Sequence, residues 1–105
     1  MKIQVNTAHG IHGSKEFNTW IEEILTNDFS RFKDRITRLE VHFHDENAAK
    51  GGAADKSCMI EARLAGKKPI AVNHSADSEA LAVTGATHKM LHRLESILDR
   101  QSHHV

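Results

Sequence analysis

The fold is decided by residues 36–45, ITRLEVHFHD, in which apolar and polar side chains alternate. Leu39, Val41 and Phe43 fall on one side of an extended chain, and the polar residues between them fall on the other. Such a period of two residues predicts a β-strand with one buried and one solvated face. We therefore expect a sheet that is covered on one side only, with Phe43 in the core.

Similar strand patterns occur on both sides of this stretch. Lys2 to Thr7 alternates before it, and Ser57 to Ala65 and Pro69 to His74 alternate after it. Gly66 to Lys68 predicts a tight turn between the last two strands. The segment from Asp45 to Lys56, DENAAKGGAADK, holds two adjacent glycines and no large apolar residue, which predicts a mobile loop.

Two helices are predicted from apolar residues that recur at spacings of three and four. Ser14 is the predicted cap of the first helix, and Ser75 or Asp77 that of the second. The expected buried stripes are Phe17, Trp20, Ile21, Ile24 and Leu25 in the first helix, and Ala80, Val83, Met90, Leu91, Leu94, Ile97 and Leu98 in the second. Trp20 is expected in the core, and residues Gln101 to Val105 are expected to fray.

The order of these elements is strand, helix, three strands, helix. Short links predict that the last three strands form an antiparallel meander. The matching apolar faces predict an α+β two-layer sandwich, a four-stranded sheet with both helices on one face. The length of 105 residues fits a single domain spanning residues 1–105.

The charge balance limits the possible partners. Lys plus Arg number 14 and Asp plus Glu number 14, so the net charge is zero with neutral His. This balance argues against nucleic-acid binding through bulk positive charge, whereas it does not exclude a local basic patch. No stretch approaches the roughly 20 apolar residues of a membrane span, and the single cysteine cannot form an intramolecular disulfide. We expect a cytoplasmic protein without a membrane partner; its oligomeric state is left open.

Motifs of catalysis and metal binding are missing from the sequence. There is no nucleophile triad, no trusted acid pair, no phosphate-binding loop and no cofactor fingerprint. His42 and His44 share a strand face, and His88 and His92 share a helix face, but neither pair has a second pair at a zinc spacing. Cys58 falls on the inward side of its strand. We expect no enzyme activity, no cofactor, no metal and no small-molecule substrate.

Three groups of basic residues are candidates for contact with RNA. They are His88, Lys89, His92, Arg93 and Arg100 on the second helix; Arg31, Lys33 and Arg35 after the first helix; and Lys67 and Lys68 in the turn. Residues 86–94 contain no acid. Arg forks and Lys ammonium groups bind phosphates. The alternative is an ordinary solvated surface, and joint use would require the groups to lie on one side of the fold. Separately, His42 is expected in a polar cross-strand network with Arg38, Glu40, Glu61 and Arg63.

Five segments resemble the ribosome hibernation-promoting factors and ribosome-associated inhibitors, also called ribosomal subunit interface proteins. These segments are KIQVNT (2–7), SRFKDRITRLEVHF (30–43), MIEARLAG (59–66), PIAVNHSAD (69–77) and ALAVTGATHKMLHRLESIL (80–98). The resemblance extends over nearly the whole chain. It implies a β-α-β-β-β-α fold, similar to a double-stranded RNA-binding domain with an added first strand.

The resemblance also implies a function without catalysis. A member of this family would bind ribosomal RNA of the small ribosomal subunit near the decoding region, exclude messenger and transfer RNA, and keep idle ribosomes inactive. This chain departs from the family pattern in its neutral charge, in the long loop at 45–56, and in Glu95 and Asp99, which interrupt the basic run of the last helix. The second hypothesis is a protein-interaction or self-associating module that uses the open sheet face or the 45–56 loop.

Overall fold

The computed structural model describes residues 1–7, 15–45 and 56–102, and its elements follow the predicted order. They are β1 (Lys2–Thr7), α1 (Lys15–Asp28), a short 3-10 helix (Ser30–Phe32), β2 (Ile36–Asp45), β3 (Lys56–Leu64), β4 (Ile70–Ala76) and α2 (Glu79–Ser102). The predicted cap at Ser14 and the loop between β2 and β3 lie outside the described residues. The strand bounds agree with the predicted ones to within two residues.

The sheet has the strand order β1-β2-β3-β4. β2, β3 and β4 pair antiparallel, which confirms the predicted meander, and β1 pairs parallel to β2. A parallel pair needs a crossover connection, and α1 provides it. The register places Val5 opposite Val41, Val41 opposite Ile60, and Ile60 opposite Val72. One row of β-branched side chains therefore crosses all four strands, a composition that favours a packed sheet face.

A single hydrophobic core lies between the sheet and the two helices. Its largest fully buried side chains include Ile21 and Leu25 from α1, Leu39, Phe43 and Ile60 from the sheet, and Met90 and Leu94 from α2. Because both helices bury their apolar sides against the same sheet face, the predicted two-layer sandwich is confirmed. Phe43 is a core residue as expected, 1% exposed.

The predicted burial of Trp20 is wrong, because Trp20 is 37% exposed. Trp20 precedes the fully buried Ile21, so it points about 100° away around the helix, at the margin of the stripe. There it stacks on Phe17 with ring centroids 5.6 Å apart, and Phe17 in turn meets the ring of Phe43. Trp20 thus covers the side of the core instead of filling it.

The start and the end of α2 differ from the predicted ones. Ser78 is the cap, and its hydroxyl oxygen accepts a hydrogen bond from the Leu81 N–H at 3.2 Å. The predicted caps were wrong because β4 continues to Ala76, which delays the helix. At the other end, the helix continues through Ser102, and residues 103–105 lie outside the described part, so the fraying of Gln101 to Val105 stays a prediction.

The buried stripe of α2 is shifted in its first turns. Ala80 was expected to be buried but is exposed, while Ala82, Ala86 and Thr87 are buried. The reason is that the helix turns its small residues toward the sheet, which lets it approach β3 and β4 closely. The tight turn at Gly66 is confirmed: its φ of 73° is in the left-handed region that glycine adopts readily.

Gly85 of α2 lies against the side chain of His74 in β4. A Cβ atom at this position would overlap the imidazole ring of His74. Replacing a helical glycine by alanine normally stabilises a protein by about 0.5–1 kcal/mol. Here we expect Gly85→Ala to lower the free energy of unfolding by about 1–3 kcal/mol, the usual cost of overpacking, as measured by urea denaturation.

The control for this prediction is the same substitution in a variant that lacks the imidazole ring of His74. In a His74→Ala background, Gly85→Ala should stabilise the protein, because the space that the imidazole occupied is free. A stabilising effect of Gly85→Ala in the wild-type background would contradict the close contact.

Candidate nucleic-acid interface

The exposed side of α2 next to β4 gathers four of the predicted RNA-binding residues. His88, Lys89, His92 and Arg93, together with Val72 of β4, line an open groove with a volume of about 410 Å³. The four side chains are exposed. His88 and His92 form one pair and Lys89 and Arg93 the other, and the two residues of each pair are four positions, about one helical turn, apart. We call this surface the α2 groove.

The packing of α2 explains why these residues face solvent. Met90 and Leu94 are fully buried, and they fix the opposite side of the helix against β3 and β4. Since β4 is the last strand of the sheet, the outer side of α2 has no strand beneath it. The chain therefore leaves the α2 groove open along the sheet edge.

Lys89 connects the helix to the edge strand. Its Nζ donates a hydrogen bond to the backbone oxygen of Asn73 in β4, with a donor–acceptor distance of 2.7 Å. Because β4 is an edge strand of the sheet, this bond places the ammonium at the sheet margin. An ammonium group has three protons to donate, so this contact leaves two for other acceptors.

A second basic surface lies at one end of the sheet. Lys33 and Arg35 precede β2, and Lys67 and Lys68 follow β3, whose end pairs with the start of β2. The backbone N–H of Ala65 donates to the oxygen of Arg35 at 3.2 Å, which joins the two connections. The structure thus brings together four exposed basic residues that the sequence had left in separate groups. We call them the sheet-end cluster.

Arg31 belongs to neither surface. Its guanidinium donates to the carboxylate of Glu95 in α2 and lies over the ring of Phe32, 4.6 Å from the ring centroid. This ion pair compensates the charge of Arg31 and connects the 3-10 helix to α2. The side chain of Arg100 lies outside the described residues.

The open sheet face carries the predicted polar network. Glu40 lies at its centre, 3.1 Å from Nε of Arg38, 3.3 Å from Nε2 of His42 and 3.7 Å from Nε of Arg63. Arg63 also approaches Glu61 at 3.3 Å. Because the arginines of this face are paired with carboxylates, the face offers little net positive charge to a phosphate.

Solved structures with a similar fold include the following two. One is a ribosomal subunit interface protein from Coxiella burnetii, with a TM-score of 0.72 and 20% sequence identity, covering 94% of this chain and 99% of that chain. This chain has the fold of a ribosomal subunit interface protein. The N-terminal domain of Protein Y from Thermus thermophilus also matches, with a TM-score of 0.72, 13% identity and coverage of 92% of this chain and 99% of that domain.

The likeness to these two solved structures confirms the fold that the sequence resemblance implied. No protein-family model matches the sequence, and no curated protein matches it either. The likeness is therefore one of backbone arrangement, and it assigns no role to the residues of the α2 groove.

Within residues 1–7, 15–45 and 56–102, no three His, Cys, Asp or Glu side chains are grouped to hold a metal ion. Among the same residues, neither helix combines the length and the apolar character that crossing a bilayer requires.

Cys58 is fully buried under the helices. Burial raises the pKa of the Cys58 thiol from 9.0 to about 12, because the thiolate is poorly solvated there. Since only the thiolate is nucleophilic, we expect no reaction of the folded protein with Ellman's reagent at pH 8 and complete reaction after unfolding. Fast labelling of the folded protein would contradict the burial.

The same shift predicts a dependence of stability on pH. Between about pH 9 and pH 12 the unfolded chain loses the thiol proton and the folded chain keeps it, so the free energy of unfolding should fall as the pH rises. Cys58→Ala is the control, since it removes this contribution and keeps those of the lysines.

Proposed function

We propose that this chain is a non-catalytic, ribosome-associated protein of the cytoplasm that binds ribosomal RNA of the small ribosomal subunit and inhibits idle ribosomes. The observation that carries the proposal is the convergence of His88, Lys89, His92 and Arg93 on one open surface of the fold that ribosomal subunit interface proteins have. Bound there, the protein would occlude translation ligands by its volume, without any chemical step.

The distribution of charge supports this choice of surface. With zero net charge, affinity for RNA must come from local groups whose charge is not compensated within the protein. Among the described residues, the arginines of the sheet face and Arg31 are paired with carboxylates, whereas Lys89, Arg93 and the sheet-end cluster form no ion pair. RNA helices are recognised mainly through shape, phosphates and 2′-hydroxyls, which suits a rigid surface with a few cations.

The rival function, a self-associating or protein-interaction module, has less support. Its predicted surface on the open sheet face is occupied by the network around Glu40, whose ions are already paired. Its other predicted surface, the 45–56 loop, lies largely outside the described residues.

Sedimentation through a sucrose gradient tests the proposal. We expect the protein to travel with isolated small subunits at low salt and to leave them as the salt concentration rises, because phosphate contacts depend on salt. A protein that stays at the top of the gradient in the presence of small subunits at low salt would contradict the proposal. If it forms oligomers there instead, the rival function gains support.

A further inference from the structure

The lining of the α2 groove is not that of a surface built for phosphates alone. Its lining, contributed by Val72, His88, Lys89, His92 and Arg93, is almost entirely apolar, although four of these five residues carry polar or charged groups. Phosphate binding requires charge and N–H donors but no apolar lining. We propose that the α2 groove binds one unpaired nucleotide of RNA, with its base against the apolar lining and its phosphate at the rim; this deepens the proposed function and rests on it.

The size and chemistry of the groove suit a base. Its volume of about 410 Å³ is within the range of about 300–1,000 Å³ in which small organic ligands are held. Unstacked RNA bases are commonly held on aromatic side chains such as His or on the plane of an Arg guanidinium. His88 and His92, one helical turn apart on the same wall, provide two such flat surfaces.

The position of Lys89 separates the apolar part of the groove from its charged rim. The bond from Nζ to the Asn73 oxygen holds the ammonium at the β4 edge and stretches the methylene stem between α2 and the strand. Arg93 lies one turn further along the helix. The two cations thus flank the groove, where they would meet the phosphates on the two sides of an inserted base.

The occupant has to be unpaired. A base within an A-form helix is stacked on both faces, and its major-groove edge lies in a groove too deep and narrow for side chains. An aromatic side chain of a protein partner would also fill the apolar groove, but it lacks the negative charge that Lys89 and Arg93 are placed to meet. Charge complementarity therefore favours a nucleotide.

A fluorescent base provides the test. The probes are a short single-stranded RNA with a central 2-aminopurine and the same strand annealed to its complement. Stacking quenches 2-aminopurine, so we expect wild-type protein to quench the single strand and to leave the duplex signal unchanged. The titration is done at one fixed pH and salt concentration for every protein and probe.

Two double variants test whether the binding of the single strand depends on the α2 groove. Replacing His88 and His92 by alanine should raise the dissociation constant for the single strand by about 5- to 150-fold, the range found for loss of base stacking. The control replaces His42 and His44, on the open sheet face, by alanine and should leave the dissociation constant unchanged.

The inference is overturned if wild-type protein fails to quench the single strand, or if it binds the duplex equally well. It is overturned too if N-acetyltryptophanamide, and not adenosine monophosphate, shifts the NMR signals of Val72, His88 and His92, since the groove would then take a protein side chain. The sedimentation experiment separates these results from the proposed function: co-sedimentation without quenching removes the nucleotide site alone, and quenching without co-sedimentation removes the ribosomal role alone.

Discussion

Reversing the charges of Lys89 and Arg93 to glutamate is expected to abolish co-sedimentation with small ribosomal subunits at moderate salt. The double variant removes two cations from the α2 groove and places two carboxylates where phosphates would lie. Each lost phosphate contact lowers the slope of log affinity against log salt by about one unit. We therefore expect residual binding at low salt to show a slope smaller by about two units.

The matched control reverses Lys2 and Lys15 to glutamate. Both residues are exposed, and they belong to β1 and α1, at the sheet edge opposite to β4. This control changes the net charge by the same amount and should keep its binding. Loss of the Lys89 hydrogen bond should cost about 0.5–1.5 kcal/mol of stability, so urea denaturation should confirm that the groove variant is folded. If that variant binds like the wild type, the sheet-end cluster becomes the next candidate.

Phe43→Ala should be strongly destabilising, with a loss of about 3–5 kcal/mol in the free energy of unfolding. Phe43 is only 1% exposed, so the cavity left by its ring would not be open to solvent. Trp20→Ala should cost only about 1–2 kcal/mol, because it removes a partly exposed ring and its stack on Phe17.

Urea denaturation of the two variants checks this pair, with Phe17→Ala as an intermediate case. Phe17 is half-buried and lies between the other two rings. Equal losses in the free energy of unfolding for Trp20→Ala and Phe43→Ala would mean that the indole of Trp20 is buried in solution.

The sheet could be predicted because its signal is local. Alternation with a period of two marks Leu39, Val41 and Phe43 as one face whatever lies above them. The margin of a helical stripe depends instead on where the helix lies over the sheet, so the exposure of Trp20 could not be derived from the spacing. The cap was missed for a similar reason, because Ser78 became the cap only once β4 extended to Ala76.

The candidate site was predictable to the extent that it lies on one helix. A period of 3.6 residues places His88, Lys89, His92 and Arg93 on one side of α2 without further information. Their environment was not predictable. Local spacing does not predict that Lys89 contacts the Asn73 oxygen. It also does not predict that Arg31 pairs with Glu95, which is 64 residues away in the sequence. The proximity of Arg35 and Lys67 at one end of the sheet likewise could be predicted only from the strand register.

The ammonium of Lys89 on the backbone of β4 also bears on whether molecules join edge to edge. An outer strand is a template on which a second chain can add a strand of its own and so start an aggregate. A lysine held at mid-strand places a hydrated charge in the path of that addition, a device by which edge strands are kept from growing. If RNA phosphates draw the ammonium away, that edge is shielded by the RNA itself. Neutralisation of this ammonium, for example by acetylation, would therefore be expected to weaken both the proposed RNA binding and the resistance to aggregation.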